Sequence, residues 1–81
     1  MSEQDLIDLG FERTDEPAEA WGGQDDFYYY SLNIGGVEFI SNANDEWNVD
    51  GIYVDILETD IRFNRSGDLE DIIRILEQNE R

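Results

Sequence analysis

The sequence predicts a single α+β domain over residues 1–81, with a small antiparallel sheet of about four or five strands. A short N-terminal helix and a longer C-terminal helix are expected on one face of that sheet. Three observations lead to this prediction. A Gly-Gly pair separates two β-rich runs between residues 27 and 41, and apolar residues recur at helical spacing after residue 68. The length of 81 residues also leaves room for only one small core.

The first expected element is a short N-terminal helix. Its apolar residues are Leu6, Ile7 and Leu9. Its first turn is acidic and Gly10 supplies a stop, after which residues 11–15 can form a strand. Residues 16–23 contain one proline, two glycines and no clear period, which indicates a loop. Trp21 in this loop is interpreted either as a lid over one end of the core or as an exposed contact residue.

The strongest local signal is a β-hairpin over residues 27–34 and 37–41. Gly35 and Gly36 between the two runs suit a two-residue turn that requires positive φ. On one mostly apolar face the predicted pairs are Ile34 with Val37, Leu32 with Phe39 and Tyr30 with Ser41. On the other face they are Asn33 with Glu38, Ser31 with Ile40 and Tyr29 with Asn42.

Two further strands are predicted after a polar turn at residues 42–46. Alternation of apolar residues at positions 52, 54 and 56 predicts a third long strand. A tight connection through Thr59 and Asp60 would add a short strand over residues 61–64. The pairs expected from that connection are Glu58 with Ile61 and Ile56 with Phe63.

The last expected element is a helix that ends near Gln78 and is capped by Ser66 or Asp68. Its apolar residues at i, i+3, i+4 and i+7 are Leu69, Ile72, Ile73 and Leu76. Glu70 and Arg74 on the opposite face have the favourable i, i+4 spacing for an ion pair.

Charge is the main functional signal. The chain has 21 acidic residues against 5 arginines, with a formal net charge of −16. A compact domain of this length should have a radius of gyration of about 12 Å and be roughly 30 Å across. Duplex DNA carries the same charge in roughly 27 Å. Such a body should repel nucleic acid and anionic membranes and be steered toward a basic surface. The predicted partner is therefore a basic protein, most plainly a nucleic-acid-binding enzyme.

Composition argues against an enzyme, a cofactor site or a metal site. The chain has no His, Cys or Lys, so the commonest general bases, thiol nucleophiles and Schiff-base formers are missing. Residues 46–51 resemble the first half of a calcium-binding EF-hand loop, but the twelfth position is Leu57 instead of Glu. With no cysteine, no basic leader and no long apolar run, we expect a cytoplasmic protein.

The candidate partner-binding residues are acids that flank the strands, with two tyrosines as possible anchors. They are Asp25, Asp26, Tyr29, Asp45, Glu46, Asp50, Tyr53, Asp55 and Glu58. Alternation places Tyr28 and Tyr30 toward the core and Phe27 and Tyr29 on the second face, with Ile40. Tyr53 and Leu57 can join them there. The sequence leaves open whether this second face is exposed or covered by residues 18–23.

Three segments carry a resemblance to known proteins: Phe27–Leu32, Ile40–Glu46 and Glu58–Phe63. Together they resemble small acidic uncharacterised proteins encoded by bacteriophages and other mobile elements. In size and charge the chain is similar to DNA-mimic antirestriction and anti-CRISPR proteins. The resemblance implies a non-enzymatic inhibitor that occupies the nucleic-acid-binding surface of a host defence protein. Alternatives are an antitoxin or immunity-type partner of one toxin, and a self-associating structural module, which allows a homodimer.

Overall fold

A computed structural model describes residues 1–23 and 25–79, except for the side chains of residues 20 and 21. The helices in this part of the chain are α1 (Glu3–Asp8), α2 (Ala18–Trp21), α3 (Trp47–Asp50) and α4 (Ser66–Gln78), with a 3₁₀ turn at Asn44–Glu46. The strands are β1 (Glu12–Glu16), β2 (Phe27–Ile34), β3 (Val37–Ser41), β4 (Val54–Ile56) and β5 (Arg62–Phe63). None of the described helices is long and apolar enough to cross a membrane.

The five strands form one antiparallel sheet in the order β1-β2-β3-β4-β5, so every strand pairs with its neighbour in sequence. The predicted hairpin is confirmed between residues 31 and 40. Its paired residues are Ser31 with Ile40, Leu32 with Phe39, Asn33 with Glu38 and Ile34 with Val37. Gly35 and Gly36 have φ of 58° and 83°, the positive values that a primed two-residue turn requires.

Helices α1 and α4 pack on one face of the sheet and enclose the core, as the sequence predicts. Leu6 of α1 and Leu69 and Ile73 of α4 lie in one buried cluster with Phe39 and Val54. The other core residues are Phe11, Tyr30 and Ile34. We call this side of the sheet the core face and the opposite side the second face.

Local hydrogen bonds and an ion pair support helices α1 and α4, and one long-range hydrogen bond joins α1 to the sheet. Ser2 and Asp5 form a reciprocal capping box at the start of α1, and these hydrogen bonds lower the pKa of the Asp5 carboxyl. The Tyr30 hydroxyl donates to Glu3 at 3.2 Å, and burial together with this bond raises the pKa of Tyr30. On α4 the predicted Glu70–Arg74 ion pair is present at 3.0 Å.

Three sequence predictions in the N-terminal half and the middle of the chain are wrong. Residues 18–21, expected in a loop, form one helical turn that ends at Gly22 with φ of 74°. The strand expected over residues 52–56 is only Val54–Ile56. The last two predicted hairpin pairs, Tyr30 with Ser41 and Tyr29 with Asn42, are not formed, because the β2–β3 pairing stops at Ser31 and Ile40. At the neighbouring position, the Tyr30 N–H donates to the Ser41 hydroxyl at 2.8 Å instead of to a strand carbonyl.

The predictions for the last strand and the last helix cap are also wrong. Val54 pairs with Phe63 and Asp55 with Arg62, a register two residues away from the expected one. Thr59 explains the shift, because its hydroxyl donates to the Ile56 carbonyl and accepts from the Ile61 N–H. The residue before α4 is Arg65, and it makes no capping side-chain bond, so neither expected cap residue precedes the helix.

The molecule is longer than the expected sphere. Its Cα atoms extend over 42 × 24 × 23 Å, with a radius of gyration of 13.3 Å. The expected width of roughly 30 Å assumed a body of even dimensions. The net charge is therefore distributed over a longer axis than the sequence estimate assumed.

Candidate partner-binding surface

Five of the candidate acids lie at one end of the sheet. Because the strands are antiparallel, the start of β2, the end of β3 and the start of β4 meet at the same end. The connections at this end carry Asp25, Asp26, Asp45, Glu46 and Asp50, and all five side chains are exposed. We call these residues the acidic end. Asp26 also has a structural role, because its carboxylate accepts the Ala18 N–H at 2.7 Å.

A polar junction around Asn42 holds the loop that supplies three of these acids. The Asn42 side chain accepts from the Tyr53 N–H at 3.1 Å and donates to the Gly51 carbonyl at 2.8 Å. The Asn42 carbonyl accepts from the Trp47 indole N–H at 2.9 Å. With Asn42 only 6% exposed, these bonds close residues 42–53 into a fixed loop and so position the acidic end.

The second face carries the two candidate tyrosines. Tyr29, Ile40 and Tyr53 are half-buried and Leu57 is exposed, and none of the four belongs to the core cluster or packs against it. The placement of Tyr29 and Ile40 on this face agrees with the strand alternation. The Phe27 and Tyr29 rings stack with centroids 6.5 Å apart. The side chain of Trp21, interpreted from the sequence as a lid or an exposed contact residue, lies outside the described residues.

Tyr53 and Asp55 share an arginine on the second face. The Arg62 guanidinium lies 3.8 Å from the centre of the Tyr53 ring. Its Nε donates to Asp55 at 2.8 Å, and this bond raises the pKa of Arg62. Asp55 is therefore already neutralised within the chain and is less available to a partner than the sequence suggests.

A second constellation of the same kind lies on the core face at the edge of the sheet. The Arg13 guanidinium is 3.6 Å from the centre of the Tyr28 ring and its Nη2 donates to Asp15 at 2.8 Å. The hydrogen bond with Asp15 raises the pKa of Arg13. These residues border a shallow cleft of about 500 Å³. The sequence analysis missed this group, although Arg13 and Asp15 are two residues apart in a strand and so share a face.

Glu58 lies away from the other candidates. It is exposed in the turn between β4 and β5, at the opposite end of the sheet from the acidic end. Its φ of 67° is the positive value that is uncommon for a residue other than glycine. The nine candidates thus divide into the acidic end, the second face and this isolated turn.

The segment that resembles half of a calcium-binding loop has a different structure. Trp47–Asp50 forms the short helix α3, which turns into the next strand at Gly51 with φ of 71°. In the parts of the chain that the structure describes, no group of three or more acidic side chains is placed to hold a metal ion. The exposed chemistry of these surfaces is that of carboxylates and aromatic rings.

No protein-family model, curated protein or solved structure matches this chain.

Proposed function

We propose that this protein is a non-enzymatic acidic inhibitor that occupies the basic, nucleic-acid-binding surface of a host defence protein in the cytoplasm. The expected partner is a CRISPR effector or a restriction enzyme. The observation that carries the proposal is the acidic end, where two connections bring five exposed carboxylates to the same end of the sheet, beside an aromatic sheet face.

The charge is little compensated within the molecule. The salt bridges among the described residues join Arg13 to Asp15, Arg62 to Asp55 and Arg74 to Glu70. No acid of the acidic end takes part in one of these pairs. Asp50 is within electrostatic range of Arg62, but a partner's lysines and arginines would meet carboxylates that form no salt bridge with a described arginine.

The density of charge supports competition with nucleic acid. A net charge of −16 over the 42 Å long axis gives one charge per about 2.6 Å. Duplex DNA has one per about 1.7 Å and a single strand one per about 3.4 Å. The molecule thus lies between a single strand and a duplex, so a groove that binds either should attract it.

Self-association is disfavoured by the same charge. Two copies would bring together bodies that each carry −16. The β1 edge, with the sequence Glu-Arg-Thr-Asp-Glu, is charged at four of its five positions, and charged edge strands resist pairing with another sheet. The other edge, β5, has only two residues. A basic protein of a different sequence therefore complements the charge of this surface better than a second copy of the chain does.

The test uses a triple variant of the acidic end, Asp25→Asn, Asp45→Asn and Glu46→Gln. Asp26 is left intact because it holds the Ala18 N–H. The matched control neutralises three exposed acids elsewhere, Asp60→Asn, Asp71→Asn and Glu77→Gln. Each protein is assayed for displacement of DNA from a panel of CRISPR effectors and restriction enzymes across a sodium chloride series.

We expect the wild type to displace DNA from at least one enzyme, with affinity that falls as salt rises. The acidic-end variant should lose about tenfold in affinity and the control much less, since three partly screened contacts contribute about 1.4 kcal/mol together. Displacement that ignores ionic strength would contradict the proposal. An antitoxin or immunity-type interaction would instead show loss concentrated in one or two aromatic residues.

A further inference from the structure

Two tyrosines next to or within the sheet carry an arginine of this chain on their ring. Arg62 lies over Tyr53 and is held by Asp55, and Arg13 lies over Tyr28 and is held by Asp15. The distances to the ring centres are 3.8 Å and 3.6 Å. We call each group an Arg–Tyr–acid unit. A tyrosine ring and a carboxylate therefore bind an arginine guanidinium at two places, one on each face of the sheet.

Tyr29 has the ring and the acids of such a unit. In the β1–β2 pairing Tyr29 lies opposite Thr14, so Glu12 and Glu16 occupy the two diagonal positions on the same face. Diagonal neighbours are about 7–8 Å apart, within reach of long side chains. Tyr29 is half-buried, and Glu12 is exposed.

Among the described residues, no arginine of this chain completes a unit with Tyr29, Glu12 and Glu16. Arg13, Arg62 and Arg74 are each engaged by an acid elsewhere, and Arg65 precedes α4. None of these four lies over the Tyr29 ring or pairs with Glu12 or Glu16.

We propose that Tyr29, Glu12 and Glu16 receive an arginine side chain of the basic partner, which completes a third Arg–Tyr–acid unit across the interface. This inference rests on the proposed function and identifies the side chain that the partner contributes. A planar guanidinium can stack on the ring and donate to both flanking carboxylates, whereas a lysine ammonium cannot stack in this way. Charge complementarity selects a basic protein as the occupant, because a second copy would add −16 to the same surface.

The experiment uses a short Gly/Ser peptide that contains arginines and the same peptide with each arginine replaced by lysine. Binding of both to the isotope-labelled full chain is followed by amide NMR shifts at physiological salt. The variants are Tyr29→Leu, which removes the ring, Tyr29→Phe, which keeps it, and Glu12→Gln with Glu16→Gln. The charge-matched control is Asp71→Asn with Glu77→Gln on α4, and spectral dispersion verifies that each variant is folded.

We expect the arginine peptide to bind more tightly than the lysine peptide, with the largest shifts around Tyr29 and Thr14. Tyr29→Leu should lower its affinity about threefold to fivefold, the range of an exposed cation–π contact, while Tyr29→Phe retains it. The double Glu variant should lose more affinity than the α4 control.

Equal binding of Tyr29→Leu and wild type, or no preference for arginine over lysine, overturns the inference. In either case the displacement assay with the acidic-end variant still decides the proposed function. Conversely, if the peptide binds at Tyr29 but the protein displaces DNA from no enzyme, the arginine site stands and the proposed function is contradicted. The two failures are therefore distinguishable.

Discussion

Asn42 holds the loop that supplies three of the five acids of the acidic end. Where the β3–β4 register ends at Ser41 and Val54, its side-chain amide bonds to the main chain of Gly51 and Tyr53, beside its own main-chain bond to the Tyr53 carbonyl. A side chain here must both donate and accept, and asparagine can do both. Aspartate cannot donate from its ionised carboxylate, so even that near-isosteric residue would leave the Gly51 carbonyl without this partner.

We expect Asn42→Ala to lower the free energy of unfolding by about 1–3 kcal/mol, because it removes the partners of the part-buried Tyr53 N–H and Gly51 carbonyl. Urea denaturation followed by circular dichroism measures the change. Asn48→Ala, at an exposed position on α3, is the control and should shift stability by less than about 0.5 kcal/mol. Equal effects of the two substitutions would show that the Asn42 bonds do not hold the loop.

The sequence indicated a polar turn around Asn42 but not its function in the fold. Residues 42–46 are turn-prone by composition, and that is a local property. The bonding partners of Asn42 are nine and eleven residues away, so only the folded loop brings them together. The stacking of Arg13 and Arg62 on tyrosines is non-local for the same reason, and so the sequence did not show that Asp55 is already engaged.

At the scale of an element, α4 offers a site for stabilisation. Gly67 lies in its first turn without positive φ, and a Cβ placed there meets no atom within 4 Å. We expect Gly67→Ala to raise the free energy of unfolding by about 0.4–1 kcal/mol, since alanine restricts the unfolded chain more than glycine does.

The contrasting substitution is Gly51→Ala at the end of α3. Gly51 has φ of 71° and ψ of −174°, a region populated almost entirely by glycine. Open space around it does not relieve this backbone requirement. We expect a loss of about 1–3 kcal/mol in thermal or chemical unfolding. A gain at Gly51, or a loss at Gly67, would contradict the backbone conformations described above.

Elements were predictable where the local signal was repeated, and were missed where it was short. The β2–β3 hairpin combines a Gly-Gly turn with alternation on both sides, so the register followed. The helices α2 and α3 are four residues each, which is too short for a helical period to show. The β4–β5 register was missed by two residues because Thr59 bonds to the main chain on both sides of the turn. An even slip keeps each side chain on its face, so the faces were still predicted correctly.

At the scale of the molecule, like charges should oppose folding. The net charge of −16 lies on a body 42 Å long, so its exposed acids repel one another. Added salt screens this repulsion. We expect the melting temperature to rise between low and physiological sodium chloride by about 5 °C, which corresponds to about 1 kcal/mol in a domain of this size. Differential scanning calorimetry at the two salt concentrations measures this change in melting temperature.

The acidic-end variant provides the comparison for this salt effect. With three charges fewer, it should melt at a higher temperature than the wild type at low salt and respond less to added salt. A wild-type melting temperature that is constant or falls with salt would mean that repulsion is not a significant cost. The net charge follows directly from the sequence. The placement of five acids at one end of the sheet follows only from the antiparallel topology.

The order of strands along the sheet also bears on how quickly the chain reaches its native state. Because each strand pairs with the one immediately before it, most of the sheet can assemble by successive closure of short loops. The docking of the two terminal helices and core contacts such as Phe39 with Phe63 bring together segments that are farther apart in sequence. Pairing of neighbouring strands can therefore precede the packing of α1 and α4 that completes the core.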